Sequence, residues 1–111
     1  MNMNAMFVDW NIEAMTGYKP KTTLYMDFSI ADAFGPEAIR DTYKKAMKDL
    51  KSQFEYLTEL VMVLNWKLWQ HYDEGNMQYA KLYDELYHTA DEYACTHLKG
   101  AELTYFYRTT D

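Results

Sequence analysis

The sequence predicts an all-α protein. Its centre is a helical hairpin, with one long helix over 36–74 and a second over 76–99, preceded by a short helix near 30–34 and an irregular N-terminal arm. Three observations predict this. Only two Pro and four Gly punctuate 111 residues, which favours a few long elements. Neither residue occurs between Pro36 and Gly75. Across that stretch Ile39, Tyr43, Met47, Leu50, Phe54, Leu57, Val61, Leu64 and Leu68 recur at spacings of three and four, a helical stripe whose phase does not slip.

The length suits a single helical domain over 1–111, and 49% hydrophobic residues are ample for a packed core. Within it the arm takes 1–28, the short helix 29–35, the hairpin 36–99 and a tail 100–111. Along the arm, Phe7, Val8, Trp10, Ile12 and Met15 are apolar without a sustained period, and Thr16–Pro20 reads as a loop. Leu24, Met26 and Phe28 alternate, as in a short extended stretch.

Ser29 and Asp32 have capping-box spacing, which starts the short helix at Ser29; Gly35 ends it and Pro36 opens the next. Ser52 with Glu55 has the same spacing and marks where the long helix would divide or bend. Gly75 ends that helix, Asn76 is placed as the N-cap of the following one, and Gly100 closes it. Its apolar face holds Tyr79, Tyr83, Leu86, Tyr87, Ala90, Ala94 and Leu98. The tail, 101–111, is either a final helical turn through Leu103, Phe106 and Tyr107 or an extended strand, and the helical turn is favoured.

After Leu60 a second apolar stripe, Met62, Val63, Trp66 and Trp69, runs nearly opposite the first. A helix apolar on both sides needs cover on both sides. The arm, the tail or a second copy of the chain can supply it, and a homodimer is expected. The same side carries Arg40, Lys44, Lys48 and Lys51 in the N-terminal half. Two readings follow. Either Phe7 and Trp10 cover the tryptophans and the basic residues are simply solvated, or the ridge of Arg40, Lys44, Lys48, Lys51, Met62, Trp66 and Trp69 is an interaction surface with aromatic anchors and a basic flank.

Charge narrows the function classes. The net charge is −6, which argues against direct nucleic-acid binding through phosphate contacts, although a binder or mimic stays open. No run is long and apolar enough for a membrane span, and the N-terminus lacks a secretory pattern. The single Cys95 gives no sign of an oxidising compartment, so a cytoplasmic location is expected.

Catalytic and metal motifs are weak. Glu85-Leu86-Tyr87-His88 has the Glu-x-x-His spacing of di-iron bundles but occurs once. A metal-dependent enzyme built on Glu85, His88 and Glu92 is the alternative reading, yet these residues project to the charged side of their helix. Cys95 and His97 point about 200° apart on a helix and form no nucleophile pair. Cys95 is expected as a small buried side chain, His97 as a packed one, and Asn65 as the one buried polar residue. No catalytic residue, cofactor-binding residue or metal ligand is assigned, and no cofactor is expected.

The blocks Met26–Asp32, Tyr56–Trp66 and Tyr105–Asp111 resemble small uncharacterised helical proteins carried by phages and other bacterial mobile elements. The resemblance covers most of the chain and brings no site residues with it. It implies an accessory or anti-defence role carried out by binding. The sequence therefore predicts a non-enzymatic module that binds an unidentified protein partner.

Overall fold

Gly35 is the first fixed point of the chain. Its φ of +115° lies where a side chain is strained, so it stops one helix and lets Pro36 begin the next. The computed structural model describes residues 23–50 and 54–110, and its ordered elements are all helices, with no strand among the described residues. They are α1 (Thr23–Phe34), α2 (Pro36–Leu50), α3 (Phe54–Asp73), α4 (Met77–His97) and α5 (Ala101–Thr110). No helix among these residues is long and apolar enough to cross a membrane.

The short helix is longer than its capping signal implies. α1 begins at Thr23, six residues before Ser29, and takes in residues read as arm and as a short strand. Leu24, Phe28 and Ala31 are buried at helical spacing on one side, while Met26, Ile30 and Phe34 lie exposed on another. A helix apolar on two sides mimics strand alternation over a few residues, which is why the pattern misled. Phe7 and Trp10, proposed as cover for the tryptophans, lie outside the described residues.

The predicted rod over 36–74 is two helices. A straight helix of that span would be about 58 Å long, whereas the described residues fit within 38 Å along their longest axis. The Arg40–Glu85 ion pair, at 3.1 Å, also brings α2 alongside α4. Residues 51–53, which carry the Ser52 signal, lie outside the described residues. The stripe itself faces inward as expected: Ile39, Tyr43, Leu57, Val61, Leu64 and Leu68 are buried, and Met47 and Phe54 pack against the core. The reason for the division is length. A partner of 21 residues covers roughly 30 Å of helix, so a longer rod leaves half its stripe in water. Folding α2 back buries Ile39, Tyr43 and Ala46, and each large side chain withdrawn gains roughly 1.5–3 kcal/mol.

α3 is the central element. Leu57, Leu60, Val61, Val63, Leu64, Trp66 and Leu68 are all buried, more of the helix circumference than one neighbour can cover. Its most extensive interface is with α4, across a tight turn in which Gly75 (φ +79°) and the Asn76 N–H to His71 C=O bond of 2.8 Å reverse the chain. Asn76 does precede α4, but its side chain makes no capping bond. α5 returns across α3, burying Phe106 and setting Tyr105 edge-on against Phe54. The tail is thus a full ten-residue helix rather than a single turn.

Candidate functional site

Two features stand out, on opposite sides of α1. The first is a buried polar cluster. Asp32, near the end of α1, receives Lys67 Nζ at 2.6 Å and His71 Nε2 at 2.9 Å on one carboxylate oxygen, and the Tyr83 hydroxyl at 2.6 Å on the other. Lys67 also donates to Ser29 Oγ at 3.3 Å and lies 5.2 Å from the centroid of the Tyr25 ring. The Tyr79 hydroxyl donates to the Asp32 carbonyl at 3.3 Å. The His71 ring stacks on Tyr83, with centroids 5.5 Å apart. With its Nε2–H turned to Asp32, Nδ1 faces the Asn76 amide at 3.5 Å.

The electrostatics follow from this geometry. Burial by itself raises the Asp32 carboxyl, but hydrogen bonds from His71, Lys67 and Tyr83 outweigh it and hold the pKa below the usual range. Tyr83 is driven the other way, first by burial and then by its bond to the Asp32 carboxylate, so it stays a phenol that donates. Each member is satisfied by another. The amine of Lys67 is committed to Asp32, so Ser29 has no free base beside it. What the arrangement does is tie α1 to α3 and α4, three elements joined through one carboxylate.

The sequence reading missed this cluster. Asn65, expected to be the buried polar residue, is half-buried and accepts from Trp69 Nε1 at 3.0 Å, while Lys67 and His71, along with Thr58 and Thr110, are buried. The signal was present: Lys67 and His71 are four apart on a largely apolar helix, and Asp32 lies in the apolar run that follows Asp27. Pairing them required knowing that α1 crosses α3.

The second feature is an exposed apolar face. Met26, Ile30 and Phe34 follow one another at four-residue spacing on α1, with relative exposures of 54%, 56% and 80%. Beside them lies a groove of about 460 Å³ between α1 and α2. Ala31, Ala38 and Ala46 leave its volume unfilled, Ile30 and Phe34 stand along it, and Asp27, Lys45 and Asp49 supply its charges.

The predicted ridge is distributed over both helices. Arg40, Lys44 and Lys48 are exposed on α2, with Arg40 paired to Glu85; Lys51 lies outside the described residues. Met62, Trp66 and Trp69 belong to α3. Trp66 is only 8% exposed, with Tyr25 edge-on at 6.4 Å, and Trp69 is half-buried against the core and Tyr72. Tyr25 of α1 thus lies against Trp66 within the same chain.

The metal alternative finds its residues otherwise engaged: Glu85 pairs with Arg40, and His88 faces Asp84 at 3.2 Å. Among the described residues no group of three or more His, Cys, Asp and Glu side chains is placed to hold a metal ion. Cys95 is exposed rather than buried, with Sγ 3.1 Å from the Tyr107 hydroxyl. His97 is exposed too, stacked on Tyr93 at 3.9 Å. Fold and site together define an all-helical protein with an internally satisfied polar clamp and a separate unfilled groove. No protein-family model, curated protein or solved structure matches the chain.

Proposed function

We propose that this chain is a non-enzymatic protein-interaction module whose contact surface is the α1–α2 face. The observation that carries this reading is the row Met26, Ile30 and Phe34, held in water beside an alanine-lined groove. Exposed apolar residues scattered singly are ordinary, but a contiguous row at the edge of a hollow is how interfaces present anchors. The polar cluster supports the reading indirectly, because it fixes the other side of α1 and so presents the row on a rigid element. Lys44 and Lys48, exposed on the outer side of α2, supply a basic flank that favours an acidic rim on the partner.

In this reading α3 and α4 form a hairpin scaffold and α1 with α2 the working face. Such a module suits the accessory role implied by the resemblance to helical proteins of phages and mobile elements. The test begins with a partner identified by co-purification from the cells that make the protein, with its affinity then measured by calorimetry. Phe34→Asp is expected to weaken that affinity at least tenfold, and Lys44→Glu with Lys48→Glu by a smaller factor that fades at high salt. Unchanged affinity for Phe34→Asp would remove this face from the interface.

A further inference from the structure

We infer that the α1–α2 face pairs with the same face of a second copy of this chain, each Phe34 entering the other copy's groove; the inference rests on the interaction reading above and names its partner. Self-pairing about a two-fold axis demands that projection and hollow lie on one patch, so that one rotation satisfies both. That condition is met here. Phe34, 80% exposed, is itself one of the residues lining the groove, and the hollow beside it exists because Ala31, Ala38 and Ala46 are small.

Charge agrees. A groove rimmed by one sign would set like charges against each other across a two-fold. This rim mixes Lys45 with Asp27 and Asp49, so opposite charges can face one another between copies. Area sets the strength. Met26, Ile30, Phe34 and the groove walls offer on the order of several hundred Å² per copy, at or below the roughly 600 Å² per partner found in the smallest specific interfaces. The pairing is accordingly a reversible one, with half-association in the micromolar range or above.

Sedimentation equilibrium of the full chain between about 1 and 200 μM tests the inference, alongside Phe34→Asp and, as a second variant at another exposed position, Ile30→Lys. Wild type is expected to shift with concentration from its 13.2 kDa monomer toward twice that mass. Each variant that keeps wild-type helical circular dichroism is expected to associate at least tenfold more weakly. A wild type that stays monomeric throughout overturns the self-pairing while leaving the docking face to be judged by the partner measurement above. Dimerisation that persists undiminished in both variants also overturns it, because the copies would then meet elsewhere.

Discussion

The two sides of α1 use similar residue types to opposite ends. Inward, Leu24, Phe28 and Ala31 are buried, and Asp32 among them gathers Lys67, His71 and Tyr83. Outward, Met26, Ile30 and Phe34 are as apolar as their neighbours yet stand in water. Hydrophobicity alone does not tell the sides apart. The inner side is selected by complementarity: a charge placed in an apolar interface is tolerable only where its partners converge on it, and the convergence of three donors on one carboxylate fixes which way the helix faces. The outer side lacks any such lock and is therefore available.

Perturbing the inner side should produce the largest effects. Asp32→Ala strands the buried amine of Lys67 and leaves His71 and Tyr83 without their acceptor, so a loss of about 3–5 kcal/mol is expected in urea unfolding. Lys67→Met leaves Asp32 with two donors and should cost roughly half as much or less. If both costs fell below about 1 kcal/mol, α1 would be held by its apolar contacts alone.

Acid should act through the same carboxylate. The pKa of Asp32 is lowered by folding, so its contribution is fully present above the unfolded value of roughly 4 and is lost as pH falls through the lower folded value. Urea midpoints measured from pH 6 down to pH 2 should therefore show wild type converging on Asp32→Asn in acid. Parallel curves would mean that Asp32 titrates alike in both states.

A smaller effect is expected at Tyr43, whose hydroxyl is buried with no hydrogen-bond partner among the described residues. Burial raises its pKa, as expected for a phenol with no compensating bond. Tyr43→Phe removes an unpaired polar group and should leave stability unchanged or raise it by up to about 1 kcal/mol; a loss of that size would reveal a bound water. On the outer side, Phe34→Asp should alter stability by less than about 0.5 kcal/mol even as it abolishes docking. A large loss there would mean that the outer side carries structure after all and that the contrast between the two sides fails.

Much of the fold was legible in the chain. The inward stripe from Ile39 to Leu68, the stops at Gly35, Gly75 and Gly100, and the helical tail around Phe106 follow from local spacing and turn chemistry. The division between α2 and α3 was not, because the stripe keeps its phase across it, and periodicity reports direction around an axis without reporting where the axis turns. α1 was shortened for a related reason: apolar residues on two sides cancel the helical signal that either side alone would give.

The sequence by itself determined that the chain is helical and which stripe faces inward, since both depend on interactions within a few residues. Only tertiary structure decided that Asp32, Lys67, His71 and Tyr83 share one buried carboxylate, and that Trp66 is buried with Tyr25 against it while Phe34 is left bare. Those outcomes join residues 35 to 51 positions apart along the chain. Which distant surfaces meet is fixed by how the helices together bury the most apolar area without orphaning a charge, and no local pattern encodes that sum.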